Sequence, residues 1–235
     1  MGLLKSDRPE YSLQLPITNQ KVSFTSFNMR AERTLMMATA GNNMDEITAA
    51  VCNVVNDHLR TSGIKAEELP QSEVELLILN MRAKSVGEKI ELIITDPETD
   101  KNYPTNINLS QVKIVEDKAF KSDITLSDER ILSLKLPGIK SMDGIEMTEG
   151  NEFDSTIDIL VRCFKTVVDG DEVYARGDVD DATIKEFFLD LESGDFQKIT
   201  DSFFNRMPKL QAKVKAKRED GSTLEVLVEG LASFL

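Results

Sequence analysis

The sequence predicts an α+β protein, with an N-terminal hairpin and three-helix layer, central antiparallel β hairpins, an acidic helical segment and a C-terminal β-hairpin. Three observations predict it. Leu69 to Gly87 carries apolar residues at helical spacing, the period drops to two directly after Gly87, and helical spacing returns at Phe153 before a last alternating pair of runs.

The N-terminal elements follow from caps and breakers. Tyr11, Leu13 and Leu15 alternate with polar residues, as do Val22 and Phe24, which predicts an edge hairpin behind a mobile arm of about ten residues. Asn28 can cap a helix through Met29 to Ala40 that ends at Gly41. Asn43, with Glu46 in the capping-box position, starts a second helix that carries Ile47, Val51, Val54 and Val55 and stops at Gly63. A third is predicted from about Pro70 to Val86, because Pro suits the first turn and Gly87 can take the left-handed ending. Val74, Leu77, Ile78 and Met81 form one apolar face of it, and Leu76, Leu79 and Ala83 a second nearly opposite. Two apolar faces require two layers. The polar strips between them, Glu73, Asn80 and Lys84 on one side and Glu75 and Arg82 on the other, are expected at the domain's edges.

Beyond Gly87, Ile90, Leu92 and Ile94 alternate as a strand, Asp96 to Asp100 turns, and Tyr103 to Leu109 returns. A short strand follows at Val112 to Val115, and Ile124 to Leu126 and Ile131 to Leu136 form another hairpin, closed by Pro137-Gly138. Ile139 to Asn151 has no clear period and is read as a linker or hinge, dividing the chain into 1–138 and 139–235 unless the two run on as one continuous domain. Phe153, Ile157, Leu160, Val161, Phe164, Val167 and Val168 then trace a helix ending at Gly170. Two more start at Asp180 and near Ser193, the latter ending at Pro208. Leu210, Ala212, Val214 and Ala216 oppose Lys209, Lys213, Lys215 and Lys217 on a strand that turns at Glu219-Asp220-Gly221 and returns through Leu224, Val226 and Val228. Leu231 and Phe234 form an apolar tail.

Charge is unevenly spread. The chain totals 28 basic against 41 acidic residues, and Ser141 to Asn205 alone holds 17 acidic against 5 basic. Arg206, Lys209, Lys213, Lys215, Lys217 and Arg218 follow with no acid between them. An acidic total repels phosphate backbones and argues against a nucleic-acid partner. Adjacent blocks of opposite sign suit self-association or docking onto a charged protein. No apolar run approaches the roughly 20 residues of a membrane span and no secretory h-region is present, so a cytosolic, non-membrane protein is expected. Met1 to Ser6 fits the short myristoylation pattern, which two fixed positions often match by chance.

Catalytic constellations are missing from the sequence. Cys52 and Cys163 sit on apolar helix faces and read as core. His58 has no ligand-spaced neighbour and reads as a helix-end residue. Loops starting at Asp169 or Asp178 fail the EF-hand spacing, so caps and turns explain those acids. Arg176-Gly177-Asp178 reads as a turn. Neither a phosphate-binding glycine loop nor a Gly-x-Ser-x-Gly occurs. No catalytic, cofactor or metal residue is assigned, and no enzyme is expected. Arg82, expected to pair with a carboxylate, and Lys209, Lys213, Lys215 and Lys217 are the candidate partner-binding residues. Rival readings are a host cytoplasmic adaptor or regulatory protein and a carboxylate-dependent hydrolase.

Three segments carry a resemblance. They are Phe24 to Ala38 with Met29-Arg30-Ala31-Glu32-Arg33-Thr34-Leu35-Met36-Met37; Leu69 to Leu92 with Met81-Arg82-Ala83-Lys84-Ser85-Val86-Gly87-Glu88; and Phe196 to Leu235 with Met207-Pro208-Lys209-Leu210 and Glu229-Gly230-Leu231-Ala232-Ser233-Phe234. Together they resemble the baseplate hub assembly proteins of T-even-type contractile-tailed bacteriophages. The resemblance implies a non-enzymatic hub subunit or assembly chaperone, working in the host cytoplasm during assembly or retained in the tail baseplate. It implies other hub proteins and the tape-measure protein as partners. That family often carries zinc-ribbon Cys pairs at its β turns, whereas Asp96 to Lys101 and Arg218 to Ser222 have none. No metal site is carried over, and those turns are expected to rest on Pro97, Gly221 and packing.

Overall fold

A computed structural model describes residues 8–41, 43–145, 148 and 150–234, so the myristoylation pattern and most of the expected arm lie outside the described residues. The chain is the mixed α+β protein expected, arranged in two compact units. One takes the chain up to Val115 together with the chain from Lys209 onward; the other is Glu116–Pro208.

In the first unit, strands β1 (Glu10–Gln14) and β2 (Lys21–Thr25) pair as the predicted hairpin. Helix α1 (Met29–Ala40) starts at Asn28, whose side chain accepts the Ala31 N–H, and α2 (Met44–His58) starts at Asn43, which accepts from Asp45 and Glu46. α2 stops at His58, short of Gly63, because Leu59 turns extended and bridges to Phe24. His58 is the helix-end residue expected, the last of α2, but it does not face solvent. It is buried edge-on against Phe27, with Nδ1 2.8 Å from the Val54 carbonyl, so that nitrogen donates.

Helix α3 (Gln71–Ala83) is the predicted central helix, with Pro70 as its cap rather than its first residue. It packs against α2 on one side and, on the other, against β5 (Lys113–Val115) and β10 (Lys209–Lys217). Val74, Leu77, Ile78, Leu79 and Met81 are all buried. Its polar strips depart from expectation, since Glu73 and Glu75 are buried instead of reaching an edge. Strands β3 (Lys89–Thr95) and β4 (Asn102–Asn108) pair as predicted. β10 lies between β5 and β11 (Thr223–Glu229), so the C-terminal hairpin completes a three-stranded sheet with a strand read much earlier in the chain. The division therefore falls at 116 and 208, whereas the sequence places it at 138/139. Strand pairing of Lys209 with Val115 outweighs the loss of period after Ile139, where Ile139–Met142 forms a short 3-10 turn with Ile139 buried.

Among the described residues, the second unit is a four-stranded antiparallel sheet, order β6-β7-β8-β9, with three α-helices. Strands β6 (Asp123–Thr125) and β7 (Ile131–Leu134) are the expected hairpin, slightly shortened. Helix α4 (Glu152–Cys163) ends seven residues before Gly170, and the predicted continuation is instead strand β8 (Phe164–Asp169), which turns at Gly170 into β9 (Glu172–Ala175). The cause is a bulge. Leu134 faces Phe164 but Ser133 faces Thr166, so Lys165 is extra and the inward residues Phe164 and Val167 stand three apart, mimicking a helix. Helix α5 (Asp181–Leu189) starts at the predicted Asp180, and α6 (Ser193–Ser202) ends before a 3-10 turn at Phe204–Arg206 instead of at Pro208. Ile124, Leu132, Ile157, Leu160, Phe188 and Phe203 form its core.

Candidate docking surfaces

The period of two on β10 aims Leu210, Ala212, Val214 and Ala216 inward and leaves Lys209, Lys213, Lys215 and Lys217 in solvent, as predicted. Part of that charge is answered within the sheet. Lys215 stands opposite Glu225 at 3.1 Å, Lys213 reaches the same carboxylate at 3.7 Å, and Lys209 lies 3.7 Å from Glu229. Hydrogen bonding to Lys215, and then its charge, holds Glu225 below the usual carboxylate range. Such exposed pairs contribute about 0.2–1 kcal/mol each. Lys217 faces Thr223 and meets no carboxylate among the described residues. Four ammonium groups against two carboxylates leave a positive surplus on this face.

Arg218 continues β10 into its turn and forms a two-pronged ionic contact with Asp96. Its Nε donates to Asp96 Oδ2 at 2.7 Å and Nη2 to Asp96 Oδ1 at 3.2 Å, with Glu98 at 3.3 Å. The Asp96 carboxylate is fully enclosed, and Arg218, with the Glu98 N–H and the Thr99 hydroxyl, holds it down at about 2. Lys101 and Glu219 add an outer pair at 2.6 Å. The two turns that lack zinc-ribbon cysteines are thus fastened to each other by ions, a link the sequence reading missed. Arg218 at the head of one turn and the acids of the other carried the signal, but nothing local says that they meet.

Arg82 is half-buried, and its Nη1 donates to the Phe234 carbonyl at 3.2 Å, so among the described residues its partner is a carbonyl and not the expected carboxylate. A cavity of about 210 Å³ lies beside it, walled by Val86, Lys89, Ile90 and Phe234. The apolar tail is internal, with Phe234 fully buried.

In the second unit the acids divide between structure and surface. Asp180 accepts the Thr183 N–H as the cap of α5, and buried Asp195 accepts the Ser127 N–H and hydroxyl. Arg176, the first residue of the turn tripeptide, donates to the Val161 carbonyl at 2.7 Å and to Asp181 at 2.5 Å. A cavity of about 260 Å³ opens between Phe164, Val167, Ile184 and Phe187, with Arg130 and Asp169 at its rim. The Arg130 guanidinium lies 5.3 Å from the Phe187 ring centre and is paired with Asp128 at 2.5 Å, which neutralises it. Counted over Glu116–Pro208, 11 basic residues stand against 22 acidic ones. The whole chain is −13, so this unit carries −11 of it and the other −2.

The last surface was not anticipated from sequence, where Met29 to Met37 served as part of a capped helix and to carry the resemblance. On α1 only Ala31 and Leu35 are buried, while Met29, Met36 and Met37 are 80%, 66% and 64% exposed, and Met44 at the start of α2 is 67% exposed. Their spacing could have shown it, since the methionines fall opposite the buried pair.

Compared with known protein families, residues 8–235 match the family described as T4 bacteriophage base plate protein. No curated protein and no solved structure matches the chain.

Proposed function

The chain belongs to the T4 bacteriophage base plate protein family, and from that premise we propose that it is a non-enzymatic hub subunit or hub assembly chaperone that acts by docking onto other baseplate proteins. The observation that carries this reading is the segregation of charge. One unit holds −11 on 93 residues while the other presents a lysine-rich strand face, so a partner meets two surfaces of opposite sign on one chain. Charge arranged in this way sets the orientation and rate of docking more than its affinity. It suits an ordered assembly in which each subunit must arrive in register. The three sequence segments that resemble hub assembly proteins support the hub in particular, with the other hub proteins and the tape-measure protein as partners.

The test is pairwise co-expression of the tagged chain with each hub protein and the tape-measure protein of its phage, followed by affinity purification at low and high salt. Retention of at least one hub protein, weakened by salt, is expected. Failure to retain any would overturn the hub reading. Mass spectrometry of purified virions separates the two forms of the proposal: a subunit is present in the particle, and a chaperone is confined to the lysate.

A further inference from the structure

We propose that the methionine face of α1 is a self-association surface, on which a second copy of this chain packs its own α1 antiparallel about a two-fold axis. The argument starts from the helix itself. At 100° per residue, Ala31, Leu35 and half-buried Ala38 define the inward direction, and Met29, Arg33, Met36, Met37 and Ala40 lie within roughly 55° of the outward one. A helix anchored by so few buried side chains normally turns charge to water. This one presents unbranched, polarisable thioethers, which adapt to a facing surface. Scattered exposed hydrophobes need no explanation, but a contiguous stripe opposite the core marks an interaction site.

The ends of the stripe identify the occupant. Arg33 sits in its first half with Arg30 at its margin, both exposed, and neither meets a carboxylate among the described residues. Asp45 and Glu46, exposed in the first turn of α2, sit at the other end, beyond Gly41. α1 is about 18 Å long at 1.5 Å per residue. An antiparallel copy related by a two-fold axis between Arg33 and Met36 sets the arginine-bearing first half of each α1 beside the second half of the other, which leads to Asp45 and Glu46, with Met36 and Met37 near the centre. The surface is therefore complementary to itself, as an isologous interface must be. A stripe of this length covers less than the roughly 1,600 Å² of a standard interface, so pairing is expected at about 10–100 µM protein and not at nanomolar concentrations.

The inference concerns the isolated chain and does not depend on the hub reading. Sedimentation velocity and equilibrium of the purified protein from 5 to 200 µM are expected to show a reversible monomer–dimer equilibrium. Met36→Lys/Met37→Lys should abolish it. Arg30→Glu/Arg33→Glu and Asp45→Arg/Glu46→Arg should each weaken it at least about tenfold through like-charge contacts, and the fourfold variant, with both ends reversed, should regain it. Circular dichroism confirms that each variant is folded; any that is not is replaced by Met29→Gln/Met36→Gln. A wild-type chain monomeric at 200 µM overturns the proposal, as does a dimer indifferent to the methionine change or a fourfold variant that stays weak. If the wild type is monomeric yet the methionine variant loses capture of another baseplate protein, the face takes that protein and a second copy is refuted.

Discussion

Glu73 offers the sharpest test of the first unit's architecture. Its side chain is completely buried on α3, and one carboxylate serves three donors in the turn of the β1–β2 hairpin: the Ile17 N–H at 2.7 Å, the Thr18 N–H at 2.9 Å and the Thr18 hydroxyl at 2.9 Å. A hydrogen bond to a charged group contributes a net ~1.5–3 kcal/mol, and a donor left dry and unpaired costs about 1–3 kcal/mol. Glu73→Ala orphans three donors at once. Ile17 and Thr18 are only half-buried, so water recovers part of the loss. An expected cost of about 3–5 kcal/mol remains, a large share of the roughly 5–15 kcal/mol of a typical domain. Glu73→Gln keeps one carbonyl acceptor but turns an amide donor toward the others, and should fall in between. Urea unfolding followed by circular dichroism gives the global figure. Amide exchange at Ile17 and Thr18 gives the local one, and it should accelerate first, because the hairpin loses its tie before the core opens. A Glu73→Ala protein that loses under about 1 kcal/mol, with unchanged exchange at both amides, would refute the reasoning.

Three further predictions follow from titratable groups. Burial pushes the Glu75 carboxyl up, against the smaller opposing effect of the Gln71 side-chain donor. The folded state then holds its proton to higher pH than the unfolded one, and stability declines as pH rises through that window. Glu75→Gln should accordingly raise the melting temperature at pH 7 and lose that advantage in acid, as a pair of thermal scans would show. Asp96 behaves in the opposite sense. Its value falls from 3.8 to about 2 in the fold, so its contribution is present above about pH 4 and disappears as pH falls toward 2. Asp96→Asn should be less stable than wild type at pH 6, with the gap closing in acid; a constant gap down to pH 2 would exclude the ion pair as its cause. Burial pushes the Cys163 thiol up to about 12. A thiol reagent at pH 8 should leave Cys163 unmodified in the native protein and label it in urea, as peptide mass mapping would report.

The fold was legible where pattern and packing share a period. Asn28, Asn43 and Asp180 act as the caps their positions announce. The alternation from Lys209 to Lys217 is reproduced side chain by side chain. β8 was illegible because a bulge at Lys165 gives a strand the spacing of a helix, and the β-branched run Thr166-Val167-Val168 was the weaker signal that favours a strand. The ionic fastening of Asp96 to Arg218 spans 122 residues, and the burial of Glu73 depends on a hairpin 55 positions away. No local window contains either. The lysine strand was read correctly as a surface, but its partial neutralisation by Glu225 and Glu229 depends on register across the turn. The methionine stripe was present in the spacing all along, and it took the buried side of α1 to show which way it points.

The seating of β10 between β5 and β11 fixes an order of events on the ribosome. Val115 and Lys209 are direct strand partners, yet the whole of Glu116–Pro208 is synthesised between them. At about 5–20 residues per second, those 93 residues occupy the ribosome for roughly 5–20 s. Throughout that interval α3 has emerged without the β10 strand that covers one of its faces. The acidic unit carries its own core and can fold while the earlier-made unit waits unfinished. The unit that Glu116–Pro208 interrupts is therefore completed last, and a nascent chain exposes the apolar side of α3 until the strand that starts at Lys209 arrives.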